Sequence, residues 1–172
     1  MLVSYIYPFT ESFLDYPNAD SLCMSIYFLG CDNGCEGCSN PELADKDSNI
    51  GRKDDVNTLI NRINNMASRA KIKTLTFIGG DPLYKKNIDA TRKLIFTLKD
   101  HYDICIYTGH DIKYVKENNI IGFTFIKVNK YMPDFSQEST KTDEYLQFAS
   151  KNQQLYDYDF NLLSSTGRYY FK

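Results

Sequence analysis

The chain has 172 residues, 42% of them hydrophobic and 24% charged, with a formal net charge of -2. This length is expected to form one domain over residues 1–172 with a core of its own, and the near-neutral balance gives no general attraction for nucleic acid. No apolar run is long enough to span a membrane, and residues 1–10 lack the basic start and apolar run of a secretory signal. The expected location is therefore the cytoplasm, where thiols stay reduced and clustered cysteines read as a metal site rather than as disulfides.

The chain opens on an apolar run, Met1 to Tyr7, followed by Pro8 and a mixed stretch with Pro17 and Asn18. A short edge strand and a loop are expected there. Ser21 to Gly30 alternates and then turns apolar, with β-branched and aromatic residues, which is the composition of a largely buried strand. Directly after it stand Cys31, Cys35 and Cys38, spaced C-x3-C-x2-C. Gly34 and Gly37 between the thiols let one loop wrap a single centre, because glycine accepts backbone angles closed to other residues. Three thiolates on one loop point to iron-sulfur ligation. An iron-sulfur cube ordinarily takes four protein thiolates, so three leave one iron open for another ligand. The competing reading is a zinc knuckle, whose tetrahedron needs a fourth ligand from His101, His110, Cys23 or Cys105. Cys23 and Cys105 lie in apolar runs and read as buried small hydrophobes.

Asn40 to Arg52 is polar and reads as a surface connection. From Asp54 the spacing becomes helical, with Val56, Leu59, Ile60, Ile63 and Met66 on one face and two aspartates at the positive end of the helix dipole. A strand over Lys73 to Ile78 follows, closed by Gly79-Gly80-Asp81-Pro82. Two glycines let the backbone approach a ligand closely and leave carbonyls free to accept from an ammonium group, although the same composition also suits an ordinary turn. Both this turn and the cysteine loop follow the carboxyl end of a strand, where α/β proteins collect their chemistry. Asn87 to His101 reads as a second helix and Ile104 to Gly109 as a strand, with His110 a loop histidine. Asp111 to Asn119 is a short helix, and Ile121 to Val128 a further strand. A polar loop over 132–144 and an aromatic tail from Leu155 to Phe171 with a terminal hairpin complete the chain. The order of elements implies parallel strands joined by crossovers.

The two motifs together resemble the radical S-adenosylmethionine (SAM) superfamily, with the core at about 21–130 and a C-terminal extension over 131–172. Within it, Cys35-Glu-Gly-Cys38 followed by Ser39-Asn40, after a strand ending in Gly30-Cys31, is most similar to the activating-protein family of anaerobic ribonucleoside-triphosphate reductase. Tyr107-Thr108-Gly109 resembles that family's Trp-Thr-Gly, Lys130-Tyr131 the end of its Asp-Gly-Lys-Tyr, and Phe148 to Gln153 its closing Trp-to-Gln segment. Val128-Asn129 replaces the family's Asp-Gly and so removes a carboxylate.

The resemblance implies an α/β fold, specifically a partial parallel β/α barrel, since 172 residues are too few for a full one. It implies a 4Fe-4S cluster on Cys31, Cys35 and Cys38, and SAM held by Gly37, Cys38, Ser39, Gly79, Gly80, Asp81, Pro82, Thr108 and Lys130. The implied activity is that of an oxidoreductase that cleaves SAM reductively and places a glycyl radical on the anaerobic reductase, with a flavodoxin or ferredoxin as electron donor. An activase of another glycyl radical enzyme, or a non-catalytic iron-sulfur or zinc-binding partner protein, are the alternatives.

Overall fold

The computed structural model describes residues 1–18, 22–138 and 144–171. Its strands are β1 (Leu2–Tyr5), β2 (Thr10–Ser12), β3 (Cys23–Phe28), β4 (Arg52–Asp55), β5 (Thr74–Gly79), β6 (Asp103–Tyr107), β7 (Phe125–Val128), β8 (Tyr145–Gln147), β9 (Gln154–Asp157), β10 (Leu162–Ser164) and β11 (Arg168–Tyr170). The α-helices are α1 (Val56–Ala70), α2 (Ile88–Leu98) and α3 (Ile112–Glu117). One sheet runs in the order β10-β9-β7-β6-β5-β3-β1-β4, with β2 also paired to β3, while β8 and β11 form a separate ribbon. The expected parallel arrangement holds for β3, β5, β6 and β7. Both flanks are antiparallel: β1 and β2 on β3, β4 on β1, β9 on β7 and β10 on β9. The fold is thus mixed α/β around a four-stranded parallel centre.

Alternation along the central strands gives the sheet two different faces. Met24, Ile26 and Phe28 of β3, with Leu75, Phe77, Ile104, Ile106, Ile126 and Val128, join the apolar sides of the helices in the main core. The period read from the sequence is the one α1 uses, since it buries Val56, Leu59, Ile60, Ile63 and Ala67. Its start is set by Asp55, whose carboxylate accepts from the N–H groups of Asn57 (2.9 Å) and Thr58 (3.3 Å), a cap that contributes about 1 kcal/mol. The opposite face carries one row across the four parallel strands, Ser25, Thr76, Cys105 and Phe125. Tyr16 packs there with Cys23 and Cys105, and the ribbon residues Leu146 and Phe148 pack with Tyr107 and Phe125.

Four expectations shift. The opening strand is not an edge: β1 lies between β3 and β4, because Arg52–Asp55, inside and just beyond the expected surface connection, pairs along it. The β4 sequence Arg-Lys-Asp-Asp has no apolar alternation, as befits a solvent-washed edge. Extended pairing expected from Ile121 begins only at Phe125, since Gly122 turns the chain at φ +88°. The tail does form a hairpin, β9 with β10, but β9 also extends the main sheet. Ser21, at the start of the expected strand, residues 19–20 of the opening loop and 139–143 of the polar loop lie outside the described residues. Among those described, no helix is long and apolar enough to cross a membrane.

Candidate metal centre

The cysteine loop leaves β3 and the Gly-Gly turn leaves β5, adjacent parallel strands in register from Cys23 opposite Thr74 to Phe28 opposite Gly79. Their ends are stitched together. Gly80 N–H donates to Phe28 O (2.8 Å), Asp81 N–H to Gly30 O (2.8 Å), Gly30 N–H to Leu43 O (2.8 Å) and Cys31 N–H to Ala44 O (3.0 Å). The glycine pair permits this closeness. At Gly79, with φ +106°, a Cβ would stand 2.7 Å from Phe28 O, and one on Gly80 would stand 2.7 Å from Gly30 O. The close approach expected toward a ligand is thus also an approach to the base of the cysteine loop itself.

Asp81 is the hub of this end of the sheet. Its side chain is 0% exposed and accepts from Asn33 Nδ2 (2.7 Å), Leu83 N–H (2.8 Å), Thr108 Oγ1 (2.9 and 3.0 Å) and Gly109 N–H (2.9 Å). It therefore joins the cysteine loop, its own turn and the end of β6. Asn87, buried just before α2, donates to Leu29 O (2.9 Å) and Asp81 O (3.0 Å), so the helix start holds the same junction. Thr108, expected at a cofactor, is buried and spends its hydroxyl on Asp81. Pro82 is buried, its carbonyl accepting from Thr91 Oγ1 at 2.6 Å.

All five cysteines are free thiols; Cys31 and Cys35 are half-buried and Cys38 is exposed, as are Gly37 and Ser39. Burial pushes the Cys31 thiol up and nearby Asp81 adds to it, while the main-chain N–H and side-chain amide of Asn33 oppose both. Gly34 and Gly37 take φ values of +58° and +69°, the left-handed turns that wrapping requires. Among the described residues no three His, Cys, Asp or Glu side chains converge on one point as ligands of a single ion. Three free thiols on one loop are the donor set an iron-sulfur cluster would take.

The four fourth-ligand candidates have different surroundings. Cys23 and Cys105 are fully buried against Tyr16 on the sheet face opposite the main core, burial pushing both thiols up. His101 is exposed before β6, at the far end of the sheet from the loop. His110 is not a free loop histidine: it stacks flat on Tyr114, ring centroids 3.8 Å apart, with Nε2 4.0 Å from Asp81 Oδ2.

Beyond β6 and β7 opens a cavity of about 590 Å³ lined by Gly109, His110, Tyr114, Lys130, Met132 and Asn152, among others. His110 Nε2 and Asn152 Oδ1 are buried there without a hydrogen-bond partner. Lys130 is exposed at its rim. Lys127 and Asn33 escaped the sequence reading, while Tyr131 entered it only through the family resemblance. Lys127 reaches over the Tyr107 ring, 5.4 Å from its centre, and burial pushes its ammonium down to about 8 against the pull of Asp81, Cys35 and Cys105. A lysine interrupting the apolar strand Phe-Ile-Lys-Val was the available signal. Tyr131 places its ring 3.6 Å from where a Gly37 Cβ would be. Asn33, between two cysteines, gave no signal at all.

The model of the 4Fe-4S single cluster domain family matches residues 20–156. The chain is also similar to the anaerobic ribonucleoside-triphosphate reductase-activating protein of Enterobacteria phage T4, at 26% identity over 145 residues, covering 83% of this chain and 88% of that protein. Because the matched stretch takes in the cysteine loop, the Gly-Gly turn and all four parallel strands, the chain belongs to the 4Fe-4S single cluster domain family.

Proposed function

We propose that this protein is a radical SAM activating enzyme that generates a glycyl radical on an anaerobic ribonucleoside-triphosphate reductase. The observation that carries the reading is the junction just described: a three-cysteine loop and a Gly-Gly-Asp-Pro turn held together at the carboxyl ends of adjacent parallel strands. The similarity to the phage activating protein supports the choice of partner. On this reading the sheet is the wall of a partial β/α barrel, and its open side admits a loop of the reductase.

Cys31, Cys35 and Cys38 would hold the cluster, whose remaining site would be free for SAM. When bound, the cluster and SAM supply one electron and a hydrogen-abstracting 5′-deoxyadenosyl fragment. The protein positions these groups and keeps water away. The main chain of Gly79 to Pro82 receives the methionyl ammonium, with the Asp81 carboxylate, fixed by Thr108, bracing the turn. Gly37 and Ser39 flank the cluster side, Lys130 meets the carboxylate, and the His110–Tyr114 cavity takes the nucleoside end. A flavodoxin or ferredoxin delivers the electron. The test is anaerobic reconstitution with iron and sulfide, followed by mixing with SAM, reductant and an anaerobic reductase. Release of 5′-deoxyadenosine together with a glycyl radical signal on the reductase is the expected result; 5′-deoxyadenosine without that signal would refute the partner, and neither would refute the enzyme.

A further inference from the structure

Asn33 lies two residues after Cys31, and its side-chain nitrogen faces two acceptors at once, Cys31 Sγ at 3.3 Å and Asp81 Oδ2 at 2.7 Å. A carboxylate only accepts, so the nitrogen and not the oxygen of the amide must point inward. The two amide hydrogens then serve one acceptor each. Asp81 cannot swing away, because Leu83 N–H, Thr108 Oγ1 and Gly109 N–H hold its oxygens in a site closed to solvent.

Space enforces the same geometry. A Cβ on Gly109 would run into the Asn33 amide, so the loop after β6 is shaped to leave room for it. Gly109 has no left-handed backbone angle to explain its glycine, which leaves the close approach of Asn33 as the reason the structure offers.

We propose that Asn33 is a positioning residue that raises the reduction potential of the iron-sulfur centre bound at Cys31, by presenting a fixed N–H to that sulfur. The inference rests on the reading of the loop as a cluster site. Hydrogen bonds to ligating sulfurs draw off electron density and favour the more negative, reduced state, which is one of the main controls on cluster potential. Asp81 alone would act the other way, since a nearby negative charge disfavours taking up an electron. The amide stands between carboxylate and sulfur, turning its positive edge to the sulfur.

The test uses the full chain reconstituted anaerobically as wild type, Asn33→Ala and Gly109→Ala, with iron and sulfide counted per chain and the midpoint potential measured without SAM. Asn33→Ala removes the hydrogen bond. Gly109→Ala keeps the amide but pushes it off its seat, so it informs even if Asn33→Ala loads poorly. Both are expected to lower the reduced-to-oxidised ratio at a fixed applied potential, by about tenfold for Asn33→Ala, which is about 59 mV for one electron, and by less for Gly109→Ala. An unshifted potential in either variant at full cluster loading overturns the proposal, because a merely structural role would change loading and not potential. A wild-type chain that takes up no iron and sulfide removes the cluster reading, and this inference with it.

Discussion

Cys31, Cys35 and Cys38 ride a loop just past the end of β3, while Cys23 and Cys105 stand inside β3 and β6, sealed against Tyr16. Burial pushes Cys31 up as it does the two strand cysteines, yet the loop thiols are partly or fully exposed where the strand thiols are sealed. The strand cysteines have desolvation and no cation to relieve it beyond Lys127, so their thiols are driven upward and kept neutral. The loop cysteines have glycine-permitted turns, partial exposure and, at Cys31, two N–H donors from Asn33.

The sharpest way to break this contrast is Cys38→Ser. It is expected to cost most of the bound iron and more than the roughly 10–100-fold that loss of a mere outer-shell partner costs, read by iron analysis and 5′-deoxyadenosine release. Asp81→Ala comes next. It strands buried donors from Asn33, Thr108, Gly109 and Leu83, at about 1–3 kcal/mol for each that finds no water, so a loss of about 3 kcal/mol or more is expected in a denaturant titration of the metal-free chain. Cys105→Ala should cost only about 1 kcal/mol, the scale of deleting one small buried group, with iron uptake unchanged. A Cys105→Ala chain that failed to bind iron would collapse the distinction between the two groups.

The smallest effect belongs to Lys127. Burial lowers its ammonium from 10.5 to about 8, so between those values the unfolded chain binds more protons at this group, which contributes a stability that rises with pH. Lys127→Met should flatten that rise in denaturation midpoints measured across the same window. A slope identical to wild type would mean the ammonium is better solvated than its seat over Tyr107 implies.

What the sequence made legible follows physical periodicity. The helix over Val56–Ala70 could be read because its buried residues recur at helical spacing and Asp55 caps it, and the parallel strands could be read from short apolar runs. Cys31, Cys35 and Cys38 announced themselves by spacing, and Gly79–Asp81 by composition. β4 was illegible because an edge strand with no buried face leaves no pattern, and its pairing with β1 is a long-range event. Asn33 was illegible for a related reason: its meaning comes from Asp81 and Gly109, which arrive from β5 and β6 only when the sheet assembles. Asp81 was read from the sequence as a ligand group; its four protein donors make it a brace.

The central claim is that the cysteine loop and the Gly-Gly turn form one cofactor site. The most direct measurement is the electron paramagnetic resonance spectrum of the reconstituted, dithionite-reduced chain, recorded before and after adding SAM. A reduced-cluster signal whose shape changes on addition is the predicted result, because the open iron then gains ligands from SAM held by the turn. A cluster signal indifferent to saturating SAM would contradict the account, leaving an iron-sulfur protein whose Gly79–Pro82 turn is only a turn.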